Sequence, residues 1–291
     1  MKPAAFTYHR PASLDEALTL LDQLGSQARL LGGGQSLGPM LNLRLARPEH
    51  VIDLNDLTEF SYVRESGDMV DVGGQTRHYQ LAESAYLRRH CPLLRQAAKT
   101  IGHFAIRQRG TLAGSLANAD PVAQLALVAV ALDARITLAR QGSRREVTAT
   151  DFFLAAMTTA LEPQELLLSV RFPKFKMGEV SAYRMFNRRH GDFAVVAVAA
   201  TLAVEDGQVQ RLRLALSGIA PVPQRVDAVT RQFEGRPPDA QWAIDVAAAV
   251  AEAVQPDEDE RVPANFRREL VHILSLSALE RALEKREGIS A

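Results

Sequence analysis

The sequence predicts a mixed α+β protein of two domains, and three observations support this fold class. Helix-like and strand-like apolar patterns alternate from Leu14 to Phe172. The segment Pro173–Gly178, with a proline, lysines and a glycine, then interrupts them. Three strand-like stretches and two amphipathic helical stretches follow, and 291 residues are many for one core. We therefore expect one domain at 1–176 and a second at 177–291.

The first predicted helix spans residues 14–24. Ser13 and Glu16 have the spacing of a capping box, the leucines that follow share one face, and Gly25 is a natural C-terminal stop. Ala28–Leu31 is predicted to be a buried strand directly after this helix. Further strands of the first domain are predicted at Val51–Leu54, Val70–Gly73, Arg135–Ala139, Glu146–Val147 and Leu166–Phe172.

Three glycines, Gly32–Gly34, follow the predicted strand, and Gln35 and Ser36 come next. Glycine adopts positive φ without steric cost and leaves its N–H uncovered, so consecutive glycines at a strand end can form a nest for a phosphate. The two common phosphate motifs do not fit, because Leu37 stands where a Rossmann motif needs glycine and Pro39 where a P-loop needs lysine. A phosphate nest and a plain structural turn are both open at this point.

A second small, hydroxyl-rich stretch, Ile106–Pro121, is predicted to be a loop. Asp120 is placed to cap the next helix, with Pro121 at its first position and Val122 and Leu125 on its buried face. A helix N-terminus offers free N–H groups and a positive dipole, so such a loop suits a phosphate. An ordinary capped loop is the alternative.

The remaining elements follow from caps and from a hairpin signal. Thr76 is a predicted N-cap for a helix through Leu87, and Pro92 precedes a predicted helix at Leu93–Ile101. Alternating apolar residues predict the strands of the second domain. These strands are Val180–Arg189, Val195–Val204 and Gln208–Leu216, and Asp206-Gly207 predicts a hairpin between the last two. Two amphipathic helices are predicted at Gln241–Val254 and Asn265–Glu284, with a solvated acidic loop, Asp257–Glu260, between them.

Composition and charge disfavour several classes of partner. Hydrophobic residues make up 47% of the chain, and 34 basic side chains balance 34 acidic ones, which leaves no net field to attract nucleic acid or an anionic membrane. The longest uncharged apolar run, Ala194–Val204, is too short to span a bilayer, and residues 1–14 lack the apolar core of a signal peptide. We expect a cytoplasmic protein.

The sequence contains no recognisable metal-binding or nucleophilic constellation. No two of its histidines have the spacing of a helical metal pair. Cys91 is the only cysteine, so this chain alone cannot hold a cysteine-ligated iron–sulfur cluster, and any such cluster must belong to a partner. We interpret Cys91 as a buried thiol and His190 as an exposed loop residue.

Three motifs in order resemble the FAD-binding medium subunit of molybdenum hydroxylases, the group that includes aerobic carbon monoxide dehydrogenase and the flavin domain of xanthine dehydrogenase. The first motif is Gly32–Ser36 with its continuation Leu37–Met40 and the segment Arg47–Leu54. The second is Arg107–Ser115 followed by Ala119-Asp120-Pro121, and the third is Arg188–Ala194. The resemblance runs over nearly the whole chain.

The resemblance implies a PCMH-type flavin fold with two α/β subdomains, about 1–56 and 57–176, and a C-terminal three-stranded antiparallel sheet with a helix bundle. FAD would lie between these parts, with its pyrophosphate held by both small-residue loops. The cofactor-binding residues that the resemblance implies are Leu31, Gly32, Gly33, Gly34, Gln35, Ser36, Leu37, Ile101, Thr111, Ala113, Gly114, Ser115, Gln124, Leu167, Arg184 and Phe193. It implies no catalytic residue and no metal ligand in this chain.

Two of these residues depart from the family motif. Ala113 replaces the first of two paired glycines, and we expect its methyl group to narrow the backbone approach there. Gln124 stands where an acidic residue is usual, and we expect it to accept a hydrogen bond without the strength that a charge adds.

The resemblance implies electron transfer through non-covalently bound FAD in a hetero-oligomeric oxidoreductase. A large molybdenum-pterin subunit would oxidise the substrate, and a small subunit with 2Fe-2S clusters would pass electrons to the flavin for a terminal acceptor. The assembly is expected to be a dimer of heterotrimers. Two alternatives are a stand-alone FAD oxidase or reductase and a non-catalytic assembly subunit with a degenerate flavin site.

Overall fold

The computed structural model describes residues 2–290. The strands are β1 (Thr7–His9), β2 (Ala28–Leu31), β3 (His50–Asp53), β4 (Val63–Ser66), β5 (Met69–Gly73), β6 (Arg135–Arg140), β7 (Ser143–Thr148), β8 (Phe153–Ala155), β9 (Thr158–Thr159), β10 (Leu166–Pro173), β11 (Val180–Phe186), β12 (Val196–Glu205), β13 (Gln208–Ser217) and β14 (Gln224–Arg225). The helices are α1 (Leu14–Leu24), α2 (Leu37–Asn42), α3 (His78–Glu83), α4 (Ala85–His90), α5 (Pro92–Lys99), α6 (Phe104–Arg109), α7 (Leu112–Asn118), α8 (Gln124–Ala131), α9 (Ala149–Phe152), α10 (Asp227–Thr230), α11 (Ala240–Ala253) and α12 (Ala264–Ser290).

A small parallel sheet of strand order β1-β3-β2 opens the fold, and α1 packs against it. The predicted capping box of α1 is confirmed. Ser13 Oγ accepts a hydrogen bond from the Glu16 N–H at 3.2 Å, and the Glu16 carboxylate accepts one from the Ala12 N–H at 2.8 Å. Gly25 ends the helix with a φ of +50°, a conformation that glycine adopts at little cost.

An antiparallel sheet of strand order β4-β5-β10-β6-β7 forms the next layer. One of its faces packs on the helical region α3–α8 through buried residues such as Val72 and Val170. Its other face shares the core of α1 through Leu166 and Leu168. Edge strand β4 was not predicted, because its sequence Val-Arg-Glu-Ser is mostly polar and pairs on one side only.

The prediction that Thr76 caps a helix running through Leu87 is wrong. The Thr76 hydroxyl instead donates to the Tyr62 carbonyl at 2.9 Å and accepts from the Tyr62 N–H at 3.0 Å. The predicted helix is two helices, α3 and α4, and Ser84 separates them by accepting a hydrogen bond from the Leu87 N–H at 3.1 Å. Bonding across to the neighbouring chain segment therefore replaces the local cap.

The stretch Ile106–Pro121 is mostly helical, so the predicted loop is wrong. It contains the end of α6 and the whole of α7, with only Gly110-Thr111 between them. Asp120 does not cap α8, because its carboxylate accepts from the Val122 N–H at 3.0 Å and α8 begins two residues later. Small residues weaken the apolar pattern of α7, but its leucines are fully buried and fix the helix by tertiary packing.

Helix α8 is buried on every side. It packs against α5 and α7 of the first part and against β12 and β13 of the second. Tyr183, Ala197, Ala199 and Ala215 of the C-terminal sheet belong to the same hydrophobic cluster as α8. The two sequence regions on either side of residue 176 therefore share one hydrophobic cluster, while the C-terminal sheet and its helices also form a cluster of their own.

The C-terminal sheet has four strands, in the order β11-β12-β13-β14, rather than the three that were expected. The extra strand β14 pairs with β13 over only two residues, too few for a sequence pattern. The predicted hairpin is confirmed, with φ of +49° at Asp206 and +75° at Gly207. The two predicted helices form as α11 and α12, which pack on each other and share one hydrophobic cluster with this sheet, and Asp257–Glu260 is exposed between them. No helix in the described part of the chain is long and apolar enough to cross a bilayer.

Candidate functional site

The first candidate element is the turn that connects β2 to α2. It begins after Leu31, whose carbonyl accepts a hydrogen bond from the Leu54 N–H at 2.9 Å. Gly34 has a φ of +70° and its carbonyl accepts from the Gly38 N–H at 2.9 Å, while Gln35 Nε2 donates to the Gly33 carbonyl at 2.9 Å. These contacts turn the chain sharply into the helix. We call residues 32–36 the glycine turn.

The glycine turn presents free hydrogen-bond donors. Within residues 2–290, the backbone N–H groups of Gly33, Gly34, Gln35 and Ser36 donate to no protein acceptor. These residues are half-buried or exposed, so the donors are not enclosed in the core. A row of unpaired N–H groups at a strand–helix turn fits an anionic phosphate.

The second candidate element is the Gly110-Thr111 connection between α6 and α7, which we call the threonine turn. The buried Thr111 Oγ1 accepts a hydrogen bond from the Gly114 N–H at 3.1 Å and so caps α7. Gly114 is exposed and Ser115 half-buried, so the first turn of α7 has no bulky side chain on its open side.

The glycine turn and the threonine turn are in direct contact. A Cβ atom on Gly33 would lie 2.1 Å from the Arg109 carbonyl oxygen and 2.7 Å from Gly110 Cα. A Cβ atom on Gly32 would lie 3.0 Å from Thr111 Oγ1. Glycine is therefore required at position 33 because another backbone segment occupies the space of a side chain. The two motifs that the sequence separates by about seventy residues form one continuous cradle.

The segment Gly74–His78 supports the threonine turn from behind. The Gly74 carbonyl accepts from the Ala113 N–H at 2.8 Å, and the His78 N–H donates to the Gly110 carbonyl at 2.9 Å. The Gly74 N–H donates to the Leu168 carbonyl at 2.8 Å, which places the predicted site residue Leu167 in the strand beneath. The cradle is thus tied to β10 at the centre of the large sheet.

The methyl group of Ala113 points into the protein. It lies 3.0 Å from the position of a Cβ on Gly74, and the residue is only 8% exposed. The open side of the same helical turn is formed by Gly114. This chain has alanine at position 113 where the family motif has glycine, and the additional methyl group therefore packs in the core beside Gly74.

Sequence reasoning missed two polar residues that connect the turns, Asn55 and Arg77. Asn55 Nδ2 donates to the Gly32 carbonyl at 3.0 Å, and Asn55 Oδ1 accepts from Arg77 Nη2 at 2.5 Å. Arg77 Nη1 also donates to the Arg109 carbonyl. Asn55 follows the strand that pairs in parallel with β2, and parallel strands end at one edge of the sheet, so its closeness to the glycine turn was predictable.

His78 is a third residue that the sequence did not indicate. Its Nε2 lies 3.0 Å from the Thr111 carbonyl oxygen, and its side chain is buried against Gly110, where a Cβ would lie 2.6 Å from the ring. Burial lowers the pKa of His78 to about 4, although the contact with Thr111 opposes this. The ring is therefore neutral at pH 7, and we assign the proton to Nε2 because it faces a carbonyl.

A further group of predicted residues lies where the first part meets the C-terminal sheet. Ile101 is nearly buried, and its carbonyl accepts a hydrogen bond from Arg107 Nη1 at 2.9 Å. Gln124, at the start of α8, is buried with its Nε2 4.0 Å from the Met185 sulfur. Arg184 Nε donates to Ser277 Oγ at 2.9 Å, which links β11 to α12. Ile101 lies in the connection between α5 and α6, and Gln124 faces Met185 of β11 from the side of α8. Arg184 points from β11 to α12, on the opposite face of the same sheet. The contacts of these three predicted residues therefore lie in different places around β11.

Phe193 lies apart from these contacts as a 65% exposed side chain. Its loop approaches α6, since a Cβ on Gly191 would lie 2.3 Å from the His103 ring. His190 is exposed, as predicted, and its ring centroid lies 5.4 Å from that of His103. The loop that carries the third sequence motif therefore reaches the segment that follows Ile101.

Cys91 is fully buried, as predicted, and burial raises the pKa of its thiol to about 12. Among the described residues, no three side chains of histidine, cysteine, aspartate or glutamate lie together as a possible metal site.

Comparison with known families defines the class of protein. Residues 4–175 match the family described as "FAD binding domain in molybdopterin dehydrogenase", and residues 181–282 match the "CO dehydrogenase flavoprotein C-terminal domain". The class is therefore that of a flavoprotein subunit of a molybdenum-dependent dehydrogenase.

Individual relatives match over nearly the whole chain. The carbon monoxide dehydrogenase medium chain of Hydrogenophaga pseudoflava is 36% identical over 97% of this chain and 98% of its own, and the caffeine dehydrogenase subunit beta of a Pseudomonas species is 35% identical over 98% and 97%. Solved structures of carbon monoxide dehydrogenase from H. pseudoflava and of quinoline 2-oxidoreductase from Pseudomonas putida 86 superpose with TM-scores of 0.92 and 0.93. They are 36% and 30% identical and cover 98% and 100% of this chain, and 99% and 100% of their own. This chain belongs to the family of FAD-binding medium subunits of molybdenum hydroxylases, which are oxidoreductase components of multi-subunit complexes.

Proposed function

We propose that this chain holds one FAD molecule non-covalently in the cradle formed by the glycine turn and the threonine turn. The observation that carries the proposal is the direct contact of these turns beside a row of unpaired N–H groups. The residues assigned to the pyrophosphate and its surroundings are Leu31, Gly32, Gly33, Gly34, Gln35, Ser36, Leu37, Thr111, Ala113, Gly114 and Ser115. Leu167 lies beneath the cradle, and Ile101, Gln124, Arg184 and Phe193 are assigned to the remaining length of the cofactor.

The proposed domain boundaries follow the same assignment. The FAD-binding part comprises 1–176, with subdomains at about 1–56 and 57–176, and the C-terminal part comprises 177–291. The separate parallel and antiparallel sheets support the inner boundary, and the start of the C-terminal sheet at β11 supports the outer one. Residues 1 and 291 themselves lie outside the described chain.

The proposed role is electron transfer inside a cytoplasmic complex. Bound FAD supplies the redox chemistry, because it exchanges electrons one or two at a time. A small 2Fe-2S subunit would deliver electrons that a large molybdenum-pterin subunit takes from the substrate, and the assembly would be a dimer of heterotrimers. The chain's own composition supports this division, because its single cysteine is buried and cannot ligate an iron–sulfur cluster by itself.

The experiment that tests the proposal compares the purified full chain with the complex co-purified from its native host. The full chain should bind FAD, and candidate substrates should reduce this flavin only when the co-purified subunits are present. Substrate-dependent flavin reduction by the chain alone, at the rate of the complex, would favour a stand-alone oxidase. A colourless chain that takes up no FAD would favour a non-catalytic assembly subunit.

A further inference from the structure

Four groups form a continuous chain of hydrogen bonds behind the cradle. The Gly32 carbonyl of the glycine turn accepts from Asn55 Nδ2 at 3.0 Å, and Asn55 Oδ1 accepts from Arg77 Nη2 at 2.5 Å. Arg77 Nη1 then donates to the Arg109 carbonyl, next to the threonine turn. We call this chain the Asn55–Arg77 bridge. It joins two backbone carbonyls that are 77 positions apart in the sequence.

The bridge is anchored firmly at its Asn55 end. Asp53 Oδ1 accepts from the Asn55 N–H at 2.9 Å and also from Asn55 Nδ2, and Asp53 Oδ2 accepts from the Tyr8 hydroxyl at 2.5 Å. Asp53 is the last residue of β3 and is 8% exposed. Asp53 therefore fixes the orientation of the Asn55 side-chain amide, so that its Nδ2 also reaches the Gly32 carbonyl and its Oδ1 accepts from Arg77.

At the other end of the bridge, the guanidinium group of Arg77 donates a hydrogen bond to the Arg109 carbonyl, which lies at the cradle. The Arg109 oxygen is the atom that a Cβ on Gly33 would meet at 2.1 Å, so it lies directly against the glycine turn. A carbonyl oxygen beside an anion site is unfavourable unless a donor neutralises it. The planar guanidinium can bond this oxygen and Asn55 at once, which a lysine ammonium cannot do with the same fixed geometry.

We propose that Arg77 is a positioning residue for FAD, which acts through Asn55 to hold the two turns at the spacing that the cofactor's pyrophosphate needs. The inference rests on the proposed function above. A positioning role of Arg77 can be distinguished from a simple charge effect, because a lysine at position 77 would keep the positive charge that attracts an anion. If the fork geometry matters, Arg77→Lys behaves like Arg77→Met. If only the charge matters, Arg77→Lys behaves like the wild-type protein.

The test uses the full chain and four variants: Arg77→Lys, Arg77→Met, Asn55→Ala and the double variant Arg77→Met/Asn55→Ala. Arg89→Met serves as a control, because Arg89 is an exposed arginine on α4. Dissociation constants are measured for FAD by fluorescence quenching and for ADP by competition, since ADP carries the pyrophosphate without the flavin ring. Urea unfolding of each apo chain and the visible spectrum of residual bound FAD are recorded in parallel.

We expect Arg77→Lys, Arg77→Met and Asn55→Ala each to weaken FAD and ADP binding by a similar factor, about tenfold to a hundredfold, while Arg89→Met changes neither. The dissociation constants of the double variant for FAD and ADP should be no higher than those of the single variant that binds less tightly, because the bridge acts as one unit. The visible spectrum of bound flavin should stay that of the wild type, because the defect lies at the pyrophosphate.

Three results would overturn the inference. One is wild-type affinity in Arg77→Lys, which assigns the residue a charge role only. Another is unchanged affinity in Arg77→Met with reduced apo stability, which makes the bridge purely structural. The third is additive losses in the double variant. Absence of FAD and ADP binding by the wild-type chain would instead overturn the proposed function, and this inference with it.

Discussion

Substitution of Gly33 by alanine tests the contact between the glycine turn and the threonine turn with a single methyl group. The new Cβ would lie 2.1 Å from the Arg109 carbonyl oxygen and 2.7 Å from Gly110 Cα, both backbone atoms that cannot rotate away. Since ordinary contacts to a Cβ are longer than about 3.4 Å, one turn must withdraw by more than about 1 Å. Overpacking of this kind costs about 1–3 kcal/mol. If FAD binding bears the whole of this cost, the FAD dissociation constant rises about fivefold to about 150-fold.

The matched control is Gly38→Ala, four residues after Gly34 in the helix that the glycine turn enters. A Cβ on Gly38 would meet nothing within 4 Å, and the residue lies inside α2, where alanine is favoured over glycine by about 1 kcal/mol. We expect Gly38→Ala to bind FAD as the wild-type chain does and to unfold at the same or a higher urea concentration. Fluorescence titration with FAD and urea unfolding of each apo chain provide both measurements. Wild-type affinity in a fully folded Gly33→Ala chain would refute the role given to this contact.

Three further predictions concern protons, the thiol and the cofactor linkage. The pKa of His78 is about 4 in the folded chain against an ordinary value of 6.5, so the free energy of unfolding decreases as the pH falls from 6.5 towards 4, by about 2 kcal/mol at pH 5. Urea unfolding at pH 7.5 and at pH 5 should show this loss in the wild type but not in His78→Gln. Equal losses in the two proteins would contradict the prediction. Cys91 should resist a thiol reagent at pH 8 until urea unfolds the chain, and rapid labelling of the native protein would count against its burial. Acid precipitation should release all flavin into the supernatant, because neither turn contains a histidine or cysteine that could bond to it, and a yellow pellet would disprove this.

The sequence was a good guide wherever local chemistry decides the structure. Ser13 with Glu16 predicted the start of α1, and Asp206-Gly207 predicted the hairpin between β12 and β13, because caps and tight turns depend on a few neighbouring residues. The glycine turn was also found from its residues alone. In the first two cases the determining contacts are local, whereas the requirement for glycine at position 33 comes from the distant Arg109 carbonyl.

The sequence was a poor guide wherever distant segments compete with local preferences. Thr76 has the residue type of a cap but bonds to Tyr62, and the small residues of α7 look like a loop until their burial is known. The place of Asn55 beside the glycine turn was predictable from the strands, but the contacts of Arg77 with Asn55 and with the Arg109 carbonyl arise only in the folded chain. The family motifs identified the cofactor class, while the supporting contacts became visible only in three dimensions.

The burial of α8 has a consequence for how this family can change. Because this helix takes its neighbours from both family segments, its surface has to match the interior-facing residues of each. In a chimera that joined residues up to 176 of one relative to the C-terminal segment of another, the side chains of α8 and those of the C-terminal sheet would come from different proteins and would not be matched in size and shape. We therefore expect a change in the size of an α8 side chain to need a matching change in the residue that it contacts on the other segment.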